Sequence, residues 1–204
     1  VRAVAASPDG RLAVSGNQAG RIALWDIYQG NLWADYQVAP NPITAVALSP
    51  DTQFVLAGTQ RGTVFAVERS SGQPLWRIRE DFPINRIAIS PDGDAFLCAS
   101  EAKPFTLRDI KTGATMRRFA GHRYGVTMLF FIDDGRSIVS GGGDQTLKLW
   151  NTRTGKLQQT FSGHTAAVTA GACSQDGRLL LSGGLDQKLI VWDRVSGDPV
   201  KILI

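Results

Sequence analysis

One unit of about 42 residues recurs five times along this chain. Its clearest marker is an aspartate in a short turn phrase: SPDGR from Ser7, SPDTQ from Ser49, SPDGD from Ser90, IDDGR from Ile132 and SQDGR from Ser174. The shared aspartates, Asp9, Asp51, Asp92, Asp134 and Asp176, stand 42, 41, 42 and 42 residues apart. Two further columns keep the same intervals. One runs through Trp25, Val67, Arg108, Trp150 and Trp192, the other through Gly30, Gly72, Gly113, Gly155 and Gly197. A period of this length marks one supersecondary unit, which buries its apolar surface only by stacking on its neighbours.

Each unit reads as four short extended stretches. In the last they are VTAGACS (168–174), RLLLSG (178–183), KLIVWD (188–193) and DPVKILI (198–204). Apolar residues alternate or cluster, β-branched residues are common, and turn residues separate the stretches. Asp-Gly closes the first hairpin in four of the units; in the second, Thr52 replaces the glycine. No stretch shows helical periodicity with caps. The unit is therefore a four-stranded antiparallel meander. The fifth residue of the first strand is Ala5, Ala47, Ala88, Phe130 or Ala172, small in four units, as a wedge tapering toward an axis requires. Period, strand count and taper predict an all-β chain: a β-propeller with blades near 1–37, 43–79, 84–120, 126–162 and 168–204.

Composition narrows the function. With 204 residues, 43% of them hydrophobic, the chain can bury a sizeable core. No apolar run approaches the roughly 20 residues of a membrane helix, so no membrane contact is expected. The net charge of +4 comes from 22 basic and 18 acidic residues. The bases are scattered, with Arg117, Arg118 and Arg123 the densest group, which disfavours nucleic acid as the partner. Cys98 and Cys173 share no metal or redox motif. They fit a reducing compartment, and a cytoplasmic location is expected.

These residues resemble the WD-repeat β-propellers. Units four and five carry the fullest signature: Gly121-His122 and Gly163-His164, then SGGGD and SGGLD, then LKLWN and LIVWD. Unit one keeps Leu24-Trp25-Asp26, whereas units two and three have Val67-Glu68 and Arg108-Asp109 in that place. The resemblance implies two structural tetrads, His122, Ser140, Asp144, Trp150 and His164, Ser182, Asp186, Trp192. Ser, His and Asp are also the ingredients of a hydrolase triad. Two copies at equivalent places, with the serine inside a strand, favour a hydrogen-bond network over a nucleophile. In units two and three the His column holds Ala39 and Glu80, so looser packing is expected there.

The resemblance further implies a non-catalytic scaffold for protein partners, with no cofactor and no metal; only two histidines exist and both belong to tetrads. An enzyme with an axial site, and a reader of nucleic acid or modified peptides, are the alternatives. Partners of such propellers dock on the loops entering the inner strands and on the second-hairpin turns. Here that face draws Asn41, Pro42, Thr44, Gln60 and Arg61 from unit two, and Asn85, Arg86, Glu101 and Lys103 from unit three. It continues with Arg123, Tyr124 and Thr127 from unit four, and Thr169 and Leu185 from unit five. Val1 aligns with the start of an inner strand and Ile204 with the end of an outer one, so five blades fit with no spare strand. Since rings of this kind usually have seven blades, a window of a larger ring is expected, and an open arc would invite self-association.

Overall fold

A computed structural model describes residues 1–101 and 104–204. Blade one is β1 (Ala3–Ala6), β2 (Leu12–Gly16), β3 (Arg21–Asp26) and β4 (Asn31–Gln37). Blade two is β5 (Ile43–Leu48), β6 (Phe54–Thr59), β7 (Thr63–Glu68) and β8 (Pro74–Arg79). Blade three is β9 (Ile84–Ile89), β10 (Ala95–Ser100), β11 (Phe105–Asp109) and β12 (Thr115–Phe119). Blade four is β13 (Val126–Ile132), β14 (Ser137–Gly142), β15 (Thr146–Asn151) and β16 (Leu157–Ser162). Blade five is β17 (Val168–Cys173), β18 (Leu179–Gly184), β19 (Leu189–Asp193) and β20 (Pro199–Leu203). Each blade is a four-stranded antiparallel meander in chain order, as the repeat predicts.

The repeated residues build the turns. Ser7, Ser49, Ser90 and Ser174 each donate to the aspartate two residues on, at 2.5–2.6 Å. That aspartate then accepts the next strand's entering N–H, from Arg11, Gln53, Asp94 or Arg178. The Ser90 hydroxyl and the Asp94 N–H hold the Asp92 carboxyl below its ordinary pKa. The glycine column closes the third hairpin, Gly155 N–H donating to Asn151 C=O at 2.8 Å. Thr52 occupies the left-handed region at φ 58°, where the other four blades have glycine. A β-branched side chain is strained there.

The blades follow one another as an arc. β1 packs on β5, β5 on β9, β9 on β13 and β13 on β17. Close approach near the axis is achieved by small residues. A Cβ on Gly16 would lie 2.4 Å from Ile43 Cγ2 of the next blade. Ala5 and Ala47 lie in the clusters shared with the following blade. Between blades the cores are dry and apolar. Val14, Ile22 and Leu24 of blade one meet Val55 and Val67 of blade two; Leu97 and Phe105 of blade three meet Ile138 and Trp150 of blade four. The outward faces of the first and last sheets are open, with Val4 and Trp25 exposed at one end and Leu179 and Leu189 at the other.

In every blade the pairing of the third and fourth strands shifts register at the tryptophan column: at Trp25, Val67, Arg108, Trp150 and Trp192. A bulge re-aims the side chain at that point. It turns the column toward the preceding blade, so that Phe105 and Phe119 of blade three hold Trp150 edge-on at 5.6 and 5.9 Å. Phe161 of blade four does the same for Trp192 at 5.8 Å.

Candidate functional site

The loop leaving β12 carries His122 and the loop leaving β16 carries His164, and both rings are buried. His122 Nδ1 lies 2.9 Å from Asp144 Oδ1, and its Nε2 lies 2.7 Å from Ser140 Oγ. Trp150 Nε1–H donates to the same Oγ at 2.8 Å. In blade five the distances repeat: 3.0 Å from His164 to Asp186, 2.7 Å to Ser182, and 2.8 Å from Trp192 to Ser182. Asp144 also accepts the Arg123 N–H, and Asp186 the Thr165 N–H, each at 2.9 Å. The second-hairpin turn is thereby tied to the loop between blades.

The electrostatics follow from burial and from these bonds. Burial lowers the pKa of His122, and the hydrogen bond and charge of Asp144 offset part of that. Burial acts to raise Asp186, but the Thr165 N–H, His164 and the Lys188 N–H prevail and hold it down to about 2. Asp144 is lowered by the same balance, with the Arg123 N–H the strongest of the opposing bonds. Ser140 and Ser182 have 0% exposure. Each hydroxyl is committed, bonding the His ring and accepting from the indole. A nucleophile needs an oxygen that a substrate can reach, and these two have no such access.

The other blades fill the same place differently. Blade one keeps only Trp25 Nε1–H donating to Ser15 Oγ at 3.0 Å, with Trp25 39% exposed. In blade two, Ala39, Ala57 and Val67 are buried within one apolar cluster. In blade three, Glu80 from the His column forms an ion pair with Arg108 from the Trp column. Arg108 also donates to Thr106 Oγ1 at 3.0 Å and to the Gly113 carbonyl at 2.9 Å. The looser packing expected of these two blades is therefore not what the structure has: one joint is closed by hydrocarbon and the other by charge. Ala102, at the Asp column of blade three, lies outside the described residues.

The loop face contains two kinds of residue. Backbone bonds from Gln60 to Pro42, from Gly143 to Gly125 and from Leu185 to Ala167 bring the second-hairpin turns of blades two, four and five beside the loops entering their inner strands. Gln60, Arg61, Arg86, Glu101 and Arg123 are exposed there, with Tyr124 at 57% and Leu185 at 69%. Four positions drawn to the same face have bonds inside the fold. Thr44 Oγ1 donates to the Ile84 carbonyl, Asn85 Nδ2 to the Val126 carbonyl and Thr127 Oγ1 to the Val168 carbonyl. Each of these bonds ties an inner strand to the first residue of the next. Thr169 donates within its own blade, to Gly183. Asn41 and Pro42 are half-buried, and Lys103 lies outside the described residues.

Both cysteines are free thiols, with burial pushing that of Cys98 up to about 12. Among the described residues no cluster of three or more His, Cys, Asp or Glu side chains is placed to hold a metal ion. No helix among them is long and apolar enough to cross a membrane.

Comparison with known proteins places these features. The model of the WD domain, G-beta repeat, matches residues 1–26, 113–151 and 155–193. The chain is 25% identical over 150 residues to U3 small nucleolar RNA-associated protein 21 of Saccharomyces cerevisiae, covering 74% of this chain and 16% of that protein. It is 30% identical over 159 residues to telomerase protein component 1 of Rattus norvegicus, covering 67% of this chain and 6% of that one. Over 156 residues it is 25% identical to eukaryotic translation initiation factor 3 subunit I of Nematostella vectensis, at 70% and 49%. The chain thus spans less than half the length of each of these relatives.

Proposed function

Because the chain belongs to the WD40 repeat family, we propose that it serves as a non-catalytic scaffold whose loop face holds protein partners together in a complex. Three similar proteins are described as an associated protein, a component and a subunit, which supports a role in assembly. The observation that carries the reading is the exposure of Tyr124 and Leu185 on loops that are each backbone-bonded to a neighbouring loop of the same blade, with Arg86 exposed on the adjoining inner strand β9. Tyr and Arg are enriched at binding hot spots, and a rigid support lowers the entropy lost on docking. The two free thiols are compatible with a cytoplasmic setting.

Chemical cross-linking of the full-length chain in cell extract tests this. Cross-links to partners concentrate on the loop face, and alanine at Arg86, Tyr124 and Leu185 together reduces partner capture without changing the melting temperature. Cross-links confined to the outer strands, or capture unaffected by the triple change, contradict it.

A further inference from the structure

A cleft of about 480 Å³ opens at the rim of blade two beside the loop that joins it to blade one, lined by Pro40, Asn41, Thr63, Phe65, Ile78 and three arginines, Arg61, Arg77 and Arg79. The columns show what is particular to this blade. Ala39 and Val67, which stand where blade four has the His122 ring and the Trp150 indole, are packed in the apolar core beneath the cleft. Arg61 takes the column of Asp144, which reverses the charge at the turn. Arg77 and Arg79 pair in register with Phe65 and Thr63, so all four share one face of the blade. The matching outer-strand places in blade four hold Thr160 and Ser162. Blade three has one base at the Arg77 place, Arg118, but only blade two adds Arg79 and Arg61 to it.

The three guanidinium groups are exposed. Among the described residues none of them forms an ion pair, and no carboxylate lines the cleft. Like charges held together this way repel one another, and an anion relieves the repulsion. Asn41, which also lines the cleft, has a buried side-chain oxygen with no hydrogen-bond partner. An unpaired buried acceptor is unfavourable, and a turn of the Asn41 side chain toward a bound ligand relieves it.

We propose that this cleft binds a phosphorylated serine or threonine in a partner protein. The inference rests on the scaffold reading and names the chemistry of one partner. A phosphoryl group presents three strong acceptor oxygens and close to two negative charges, which suits several guanidinium forks at once. A single carboxylate engages one fork. Single-stranded nucleic acid fits less well, because stacking needs an accessible aromatic face and the one lining aromatic, Phe65, is buried in the core.

The test uses a degenerate phosphoserine peptide library on beads, its unphosphorylated twin, a short single-stranded RNA and inorganic phosphate. The full chain is retained about tenfold more by the phosphorylated library. Retention is lost in Arg77→Glu/Arg79→Glu and kept in Arg153→Glu, a charge reversal on an exposed turn of blade four. Equal retention by the two libraries, binding of inorganic phosphate alone, preference for the RNA, or indifference to the double change each overturns the proposal. Loss of phosphopeptide capture in Arg77→Glu/Arg79→Glu, with loop-face cross-links intact, separates this cleft from the platform. If partner capture depends on Arg86 and Tyr124 while the phosphorylated library is ignored, the platform stands and the cleft assignment falls.

Discussion

Blades four and five close their joints with a His–Ser–Asp–Trp network; blades two and three close the same joints without it. In blade four the joint contains two buried rings, a hydroxyl and a half-buried carboxylate. In blade two it contains Ala39, Ala57 and Val67, and in blade three the Glu80–Arg108 pair. The backbone register shift survives in all of them. The fold thus requires that the joint be filled and its polar groups satisfied, and accepts hydrocarbon, an ion pair or a network. What differs is the surface left over. Where the network persists the turn is tied down by an aspartate. Where it is lost in blade two, the turn carries Arg61 and lies beside the cleft.

The comparison is broken most severely at the tryptophan column. Trp150→Ala removes a buried indole held by two phenylalanines and costs about 3–5 kcal/mol. Val67→Ala, at the same column of blade two, costs about 2 kcal/mol or less. Denaturant unfolding of the two variants measures the difference, and equal losses contradict a tryptophan-centred joint. At blade three, Glu80→Ala strands Arg108 and costs about 2 kcal/mol, less than for a fully buried pair because both side chains keep some exposure. Adding Arg108→Val rebuilds the apolar joint of blade two and recovers most of the loss. A double-mutant cycle with no coupling removes the equivalence of the two joints.

Acid sharpens the contrast. The pKa of His122 is lowered in the folded chain, so as pH falls below the ordinary value, about 6.5, the unfolded chain takes up the proton first and stability is lost. Asp144 and Asp186 are also lowered, so a second loss follows as pH falls through the ordinary carboxylate range toward the value of about 2 held by Asp186. Equilibrium unfolding monitored by tryptophan fluorescence between neutral and acid pH reports both steps. The first disappears in His122→Ala. The smallest effect belongs to Thr52→Gly, which relieves a left-handed threonine and stabilises the chain by about 1 kcal/mol; calorimetry reads it as a higher melting temperature.

Much of this was legible before any coordinates. The repeat fixes the strand count and order: the last unit, read as 168–174, 178–183, 188–193 and 198–204, folds as Val168–Cys173, Leu179–Gly184, Leu189–Asp193 and Pro199–Leu203. Both tetrads were legible through the resemblance to WD-repeat propellers, which names the four residue types that meet, and their equal spacing in units four and five agrees with it. The Glu80–Arg108 pair was within reach, because opposite charges occupy two columns whose members touch in other blades, but neither residue belongs to a motif. The ties made by Thr44, Asn85 and Thr127 were hidden because each bonds the next blade's backbone, which has no sequence signature. The arginine cleft depends on which face of β8 each side chain takes and on how the loop at Pro40 and Asn41 lies beside it, and a residue string displays neither.

The central claim is that the polar quartets are joints of the fold. Hydrogen exchange at the indole N–H groups tests it most directly, because Trp150 and Trp192 donate inside buried quartets while Trp25 donates to Ser15 from an exposed position. The account predicts slow exchange at Trp150 and Trp192, fast exchange at Trp25, and selective loss of protection at Trp192 in His164→Ala. Equal exchange at all three indoles, or unchanged protection of Trp192 in that variant, contradicts it.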